Sequence, residues 1–218
     1  GHYALILSSN ISLVTPNKVA TSASNEEYKR LKKLAADRKI FFKYETNVGA
    51  GLPIISTLQN LINSGDKILK IQAVMSGSVS YIFNNFKEGV SFSSLVVKAR
   101  ELGYTEPDPR EDLSGADVRR KIIILTRESG YDIESDAVDL HAVLPDHLMN
   151  AKDVEGFLEQ LPSYDKEMTR RASDAALAGR VLRYIGTMEE GKAKISIEEV
   201  GSDSPFYNLD GSDNLFVI

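Results

Sequence analysis

The chain has 218 residues, with 26 Lys and Arg, 31 Asp and Glu, 42% apolar residues and no cysteine. This length and apolar content suit a folded protein with a substantial core and exclude a disordered tail. The net charge of -5 leaves no basic excess, so nucleic acid is not an expected partner. Without cysteine and without a long apolar run, the sequence predicts a cytoplasmic protein that does not span a membrane.

The first part of the chain alternates between helix and strand patterns. The predicted elements are a helix over 3–8, a short buried strand over 12–14, a helix over 25–38 capped by Ser24 and a strand over 40–44. This rhythm is typical of a parallel α/β sheet. Because the chain opens inside a helical pattern without an initiator methionine and ends on a strand pattern, we expect a fragment of a longer protein.

The rest of the chain predicts an α+β arrangement. Helices are predicted over 53–64, 79–87, 92–102, 114–129, 151–161 and 164–178, and strands over 67–75, 181–187, 193–200 and 215–218, with a further fragment near Phe206. Glu189-Glu190-Gly191 indicates a hairpin between two of these strands. The run from Lys121 to Leu125 is too apolar for a surface helix. We therefore expect a mixed sheet covered by helices on one face, with the helix over 114–129 in the core.

Several familiar catalytic and nucleotide-binding motifs are absent. The sequence contains no G-x-G-x-x-G fingerprint, and Gly49-Ala50-Gly51 is only a partial match to it. It also lacks a Walker loop, a G-x-S-x-G elbow and an H-E-x-x-H motif. His2, His141 and His147 have no metal-ligand spacing, so we expect them on the surface.

The segment over 103–115 combines two prolines with four carboxylates. It is either a solvated acidic turn or a pocket for a cationic group such as a substrate ammonium. Crowded like charges repel each other, which raises the pKa of carboxyl groups.

Asp117 and Lys121 follow at a spacing of one helical turn and so share a helix face. Two structural interpretations are open: a capping box formed by Ser114 and Asp117, and an ordinary ion pair between Asp117 and Lys121. A third interpretation is catalytic, since Lys121 begins an apolar run, and a desolvated lysine can act as a general base.

The run from Gly103 to Lys121 resembles the signature of homoserine dehydrogenases. The stretches over 14–18, 44–53 and 76–83 agree with that family in the same order. Further details over 58–61 and 143–145 are most like the dehydrogenase half of bifunctional aspartokinase/homoserine dehydrogenases. The resemblance implies an α/β fold in which residues 1–50 are the C-terminal part of a Rossmann NAD(P)-binding domain. Residues 51–218 would then be an α+β substrate and dimerisation domain.

The resemblance also implies an activity, site residues and partners. The family interconverts L-homoserine and L-aspartate-4-semialdehyde with NADP or NAD, on the pathway to threonine and methionine. Its implied site residues are Lys121, Asp117 and Lys18 for catalysis, Lys18 also for the cofactor, Glu106, Asp112, Tyr104, Gly77 and Ser78 for the substrate, and Glu45 with the carbonyls of Val48, Ala50 and Leu52 for a structural sodium ion. The expected partners are the small-molecule substrate and further copies of the chain in a homodimer or higher homo-oligomer.

The family's glycine loop and its closing segment do not occur in these 218 residues. We therefore expect this fragment to be inactive by itself. An alternative function is a non-catalytic module for amino-acid binding or oligomerisation. Substitution of Lys121 separates the two, because a sensor would keep its ligand affinity whereas an enzyme would lose turnover.

Overall fold

The structure is a computed structural model and describes residues 2–87 and 89–218. Its helices are α1 (His2–Ser8), α2 (Asn25–Asp37), α3 (Ile54–Asn63), α4 (Gly77–Asn85), α5 (Phe92–Glu101), α6 (Pro109–Leu113), α7 (Ala116–Glu128), α8 (Asp146–Met149), α9 (Val154–Gln160) and α10 (Asp165–Leu177). Single turns of 3-10 helix lie at Glu45–Asn47, Ser135–Ala137 and Leu161–Tyr164. Its strands are β1 (Leu13–Val14), β2 (Phe42–Lys43), β3 (Lys70–Val74), β4 (Asp139–Leu140), β5 (Arg180–Glu189), β6 (Lys192–Gly201) and β7 (Leu215–Val217).

The N-terminal segment has the predicted α/β order. β1 and β2 pair in parallel, and α2 between them begins at Ser24, whose side chain accepts a hydrogen bond from the Glu27 amide. The strand forms at Leu13–Val14, but the prediction that it is buried is wrong, because Ser12 is exposed and Val14 is 78% exposed. Among the described residues β1 pairs with β2 alone, so one of its edges has no neighbouring strand.

The main sheet has five strands in the order β4-β6-β5-β3-β7. β5 and β6 form the predicted hairpin, and β4 runs parallel to β6 while the other pairs are antiparallel. Helices α4, α7 and α10 pack against β5. Residues 122–125 of α7 are fully buried. The prediction of a mixed sheet covered by helices on one face, with α7 in the core, is therefore confirmed.

Three local predictions differ from the structure. The fragment near Phe206 is a turn and not a strand; the Phe206 ring packs with Val74, Ile185 and Val200 on the sheet face opposite the helices. The segment over 103–115 contains α6, because Asp108 caps a helix that has Pro109 in its first turn. β4 was not predicted at all, since two residues carry no measurable alternation.

Within the part of the chain that the structure describes, every helix is too short or too polar to cross a lipid bilayer. The location in the cytoplasm stays a prediction.

Candidate active site

A cleft of about 720 Å³ opens where the N-terminal segment (residues 2–47) meets α4, α7 and the acidic segment (residues 103–115). All residues predicted to serve catalysis or substrate binding line it: Lys18, Gly77, Ser78, Tyr104, Glu106, Asp112, Asp117 and Lys121. Four separate stretches of the sequence therefore converge on one cavity.

Asp117 lies between two lysines that line this cleft with it. Its carboxylate is 2.8 Å from Nζ of Lys121 and 3.3 Å from Nζ of Lys18. Burial by itself would raise the pKa of Asp117, but the two ammonium groups outweigh burial and hold that pKa below its usual range. The Lys121 side chain is 17% exposed, and its Nζ also donates to the Met75 carbonyl at 2.7 Å. The Lys121 side chain is thus largely shielded from solvent, and its two contacts fix the position of Nζ.

The start of α7 explains why the Asp117 carboxylate is available to the lysines. The expected capping box does not form, because Gly115 and not Ser114 is the residue before the helix. Gly115 has a φ of +74°, and a Cβ there would lie 2.9 Å from Cδ1 of Leu140 and also overlap the Tyr184 hydroxyl. Only glycine allows this close approach of α7 to the sheet. The Asp117 carboxylate therefore pairs with Lys18 and Lys121 instead of completing a capping box.

A buried amide holds the loop that carries Lys18. Asn47, fully buried in the 3-10 helix after β2, donates to the Thr15 carbonyl at 3.2 Å and accepts from the Thr21 hydroxyl at 2.6 Å. The Thr21 hydroxyl also lies 3.1 Å from the carbonyl oxygen of Lys18. These bonds fix both ends of the loop, so Lys18 reaches Asp117 from a defined position.

Asp112 organises the acidic wall of the cleft. Its Oδ1 accepts from the Ser78 hydroxyl at 2.7 Å, and its Oδ2 accepts from the Glu106 amide at 2.9 Å. Tyr104 stacks on Tyr81 of α4 with ring centroids 4.5 Å apart. The acidic segment is therefore docked onto the N-terminal end of α4, and the exposed Glu106 side chain is offered to the cleft.

The expectation that crowded carboxylates raise each other's pKa is wrong for Asp108. The guanidinium of Arg110, 2.6 Å away, forms hydrogen bonds that hold the pKa of Asp108 below its usual range. Asp108 serves as the cap of α6 and does not line the cleft.

The predictions missed several lining residues: Ser76, Glu111, Ser114, Arg120, Ser212 and Asn214. Ser212 and Asn214 come from the turn before β7, far from the other motifs in sequence. The dense polar run Gly211-Ser212-Asp213-Asn214 was the one available signal for them. Its position over the cleft depends on tertiary contacts, including the Asn84 side chain, which donates to the Gly211 carbonyl at 3.0 Å.

The residues predicted to hold sodium lie in the turn before α3, outside the cleft. The Glu45 carboxylate accepts hydrogen bonds from the amides of Ile55 at 2.8 Å and Ser56 at 3.0 Å, so it also caps α3. Gly49 and Ala50 both have left-handed backbones. The predicted surface position of the three histidines is confirmed.

Comparisons with known proteins identify the family of this chain. A family model for homoserine dehydrogenase matches residues 53–218. The maize protein named bifunctional aspartokinase/homoserine dehydrogenase 2, chloroplastic, is 44% identical over 98% of this chain, which covers 24% of that protein. The homoserine dehydrogenase of Schizosaccharomyces pombe is 42% identical over 98% of this chain, which covers 59% of it. The chain thus spans about a quarter of the first relative and less than two thirds of the second.

Solved structures give the same answer for the fold. A Candida auris protein of unknown function superimposes with a TM-score of 0.94 at 37% identity, over 98% of this chain and 62% of that one. A hyperthermophilic archaeal homoserine dehydrogenase solved in complex with NADPH superimposes with a TM-score of 0.71 at 25% identity, over 98% of this chain and 56% of that one. The order of motifs, the family match and these folds together place this chain in the homoserine dehydrogenase family.

Proposed function

We propose that this chain forms the substrate-binding and proton-transfer part of an NAD(P)-dependent oxidoreductase. The reaction is the interconversion of L-homoserine and L-aspartate-4-semialdehyde in threonine and methionine biosynthesis. One observation carries the proposal: Asp117 contacts both Lys18 and Lys121 in a cleft that Asp112 and Glu106 also line.

The chemistry of the cleft suits an amino acid with a short polar side chain. Glu106 and the docked Asp112 offer negative charge to a substrate ammonium. Gly77 and Ser78 lie in the first turn of α4, where free backbone N–H groups favour a carboxylate. With these two groups held, the substrate hydroxyl would lie toward Lys121. Tyr104, stacked on Tyr81, would cover one side of the bound substrate in the cleft.

Lys121 would carry the proton. In the reductive direction its ammonium donates a proton to the oxygen of the aldehyde as that oxygen gains negative charge. In the oxidative direction the neutral amine accepts the hydroxyl proton. The Asp117 carboxylate at 2.8 Å and the Met75 carbonyl at 2.7 Å together fix the position of Nζ. Lys18 adds a second positive charge on the same side.

Lys18 would also face the cofactor. It follows β1, and in open parallel α/β sheets nucleotides bind beyond the carboxyl ends of the strands. The residues present therefore fit the nicotinamide end of NADP or NAD. When bound, the nicotinamide accepts or donates the hydride, and Lys18 and Lys121 offset charge on the reacting oxygen.

The proposed domains separate the residues that would face the cofactor from those that would bind the substrate. Residues 1–50 would belong to the nucleotide domain, since they hold the parallel pair β1-β2 and Lys18. Residues 51–218 would be the catalytic and dimerisation domain, with the five-stranded sheet and the rest of the cleft. Because these 218 residues lack a glycine-rich pyrophosphate loop, we expect them to bind homoserine but not to turn it over.

We further propose a structural sodium site at Glu45 and the carbonyls of Val48, Ala50 and Leu52. The two N–H groups of α3 leave lone pairs on the Glu45 carboxylate for a cation. The left-handed Gly49 and Ala50 turn the backbone sharply between these carbonyls. A melting temperature that rises in sodium chloride but not in choline chloride, and not in Glu45→Gln, would support this brace; equal responses would contradict it.

The helix-free face of the main sheet is the surface we propose for the homodimer. Its open half is polar and carries Lys70, Gln72, Thr187 and Lys194. The other half of this face, with Val74, Ile185 and Val200, is covered by Phe206, so the polar half is the part free to contact a second copy. Sedimentation should give a dimer for the chain and a monomer for Thr187→Arg, whereas a monomeric chain would contradict the proposal.

The proposed activity is tested by L-homoserine-dependent reduction of NADP⁺ and NAD⁺. The assay compares this chain with a version extended at both ends by the corresponding segments of the S. pombe relative. We expect turnover from the extended version and none from the chain alone. If the extended version is also silent, the dehydrogenase assignment fails and the non-catalytic amino-acid-binding module gains support.

A further inference from the structure

Arg120 is a cation of the cleft without a counter-ion from the described residues. It is exposed and lines the cleft, and no described side chain or carbonyl forms an ion pair or hydrogen bond with its guanidinium. Lys18 and Lys121, in contrast, both contact the Asp117 carboxylate. A guanidinium presents several N–H donors in one plane and pairs best with a carboxylate or a phosphate. An arginine in this situation indicates that a ligand supplies the anion.

The phase of α7 shows which way Arg120 faces. Arg120 and Arg127 are seven residues apart, so they lie on the same face of the helix, two turns from each other. Arg127 donates to the Thr21 carbonyl at 3.0 Å. Asp117, one turn before Arg120, contacts Lys18. Arg120 thus lies between two residues of α7 that both bind the N-terminal segment.

This face of α7 is open to the cleft at Arg120 and closed further along the helix. Ile124 and Arg127, which follow on the same face, are buried. Arg120 is exposed, because at its level the cleft separates α7 from the N-terminal segment. A group that enters the cleft beside the N-terminal segment can therefore reach the guanidinium of Arg120.

The balance of charge favours a phosphate over the substrate carboxylate. The N-terminal segment and α7 contribute three cations to the described lining of the cleft, Lys18, Arg120 and Lys121, but one carboxylate, Asp117. These two elements therefore carry an excess of positive charge. Homoserine is a zwitterion without net charge, and the free N–H groups in the first turn of α4 already suit its carboxylate. A cofactor phosphate brings the negative charge that offsets the excess.

Resting on the proposed function, we propose that the Arg120 guanidinium binds the phosphate on the nicotinamide side of NADP or NAD. In that function Lys18 faces the nicotinamide, and Arg120 lines the same cleft from the face of α7 that meets the N-terminal segment. The contact would tie the cofactor to the helix that also carries Lys121. Cofactor and substrate would then be held by one rigid element, which limits their movement relative to each other.

Two pairs of ligands separate the phosphate from the carboxylate as the bound anion. Nicotinamide mononucleotide carries the phosphate, and nicotinamide riboside lacks it. L-homoserine carries the carboxylate, and 3-aminopropan-1-ol lacks it. Binding of each ligand to the chain is measured by NMR titration for the unsubstituted protein, Arg120→Met and Arg120→Lys. Arg119→Met is the matched control, because Arg119 is on the same helix but outside the described lining of the cleft.

We expect the unsubstituted chain to bind the mononucleotide about tenfold more tightly than the riboside, because hydrogen bonds between charged groups supply a difference of this size. Arg120→Met should lower the affinity for the mononucleotide to that for the riboside and leave the other three ligands unchanged. Arg120→Lys keeps the charge but not the planar donors, so it should retain part of the preference, which also shows that the site still folds. The Arg119 control should match the unsubstituted chain.

Equal affinity of the unsubstituted chain for the mononucleotide and the riboside, a preference that survives Arg120→Met, or the same loss in the Arg119 control would overturn the role of Arg120. A loss confined to homoserine would also overturn it and would assign Arg120 to the substrate carboxylate. These results would leave the proposed function intact, provided the unsubstituted chain binds homoserine. Failure of the unsubstituted chain to bind homoserine would instead contradict the proposed function, and the inference about Arg120 with it.

Discussion

Asp117 and Glu128 lie at opposite ends of α7, and both bind residues of the N-terminal segment. Asp117 contacts Lys18 in the cleft. Glu128, whose side chain is 2% exposed, accepts hydrogen bonds from the hydroxyls of Tyr28 and Tyr44 and lies 3.2 Å from Nζ of Lys32. α7 is therefore fixed to this segment at both ends. The distance between Lys18 and Lys121 depends on both attachments.

Glu128 makes stability depend on acid pH. Burial raises the pKa of Glu128, but Lys32, Gln59 and the two tyrosine hydroxyls outweigh burial and hold it below the value of 4.5 for a free side chain. A lowered pKa in the folded state stabilises the protein above the unfolded pKa, and this contribution is lost as pH falls through the folded pKa. We expect the free energy of unfolding to decrease below about pH 4.5.

Glu128→Gln should reduce the free energy of unfolding at neutral pH by about 1–3 kcal/mol, because it removes the charge that Lys32 and the tyrosines contact. It should also flatten the acid dependence in urea titrations. Glu101→Gln, at an exposed site on α5, is the control and should keep the acid dependence of the unsubstituted chain. A steep dependence that persists in Glu128→Gln would mean that other carboxyl groups cause it.

Gly115 should be intolerant of a side chain. Gly115→Ala puts a residue with a Cβ into left-handed backbone, which costs about 1–3 kcal/mol. The added Cβ would also lie against Tyr184 and Leu140. Gly179→Ala is the matched control, because Gly179 has a similar φ of +68° and no atom within 4 Å of the added Cβ. We expect the alanine at 115 to lower the midpoint of urea unfolding more than the alanine at 179, and to weaken homoserine binding. Equal midpoints would show that the contact with the sheet does not matter.

Arg183 should hold the turn that brings Ser212 and Asn214 to the cleft. Its buried guanidinium donates to the carbonyls of Phe206 at 2.9 Å and Tyr207 at 2.7 Å. Arg183→Met leaves these carbonyls without donors, so we expect a loss of about 2–4 kcal/mol in unfolding free energy.

The same substitution should weaken homoserine binding, measured by calorimetry under conditions where the variant is folded. Arg180→Met on the same strand is the control; Arg180 is exposed, and its ion pair with Glu199 is 3.9 Å long, so both quantities should change little. Normal binding by folded Arg183→Met would show that the turn is positioned without the guanidinium.

Local patterns predicted most of the elements, the acidic segment and the Asp117–Lys121 pair, whereas Lys18, Gly77, Ser78 and Tyr104 were predicted only from the resemblance to homoserine dehydrogenases. The acidic segment and the Asp117–Lys121 spacing are contiguous in sequence, and helical periodicity places both residues on one face. The place of Asn214 in the cleft lining and the roles of Arg183 and Glu128 could not be predicted in this way. They depend on contacts between distant elements, such as the turn before β7 lying over α4, which no local spacing encodes. The prediction of a strand near Phe206 was wrong for a related reason, because an apolar residue in a buried turn resembles one in a strand.

Proton transfer by Lys121 in homoserine oxidation is tested by the rate of NADP⁺ reduction by Lys121→Met in the extended version. Lys98→Met, at an exposed lysine on α5, is the control. General acid–base catalysis contributes about 10²- to 10⁴-fold, so we expect Lys121→Met to lower the rate by that factor while homoserine affinity changes little. A rate for Lys121→Met equal to that of the Lys98 control would contradict the assignment.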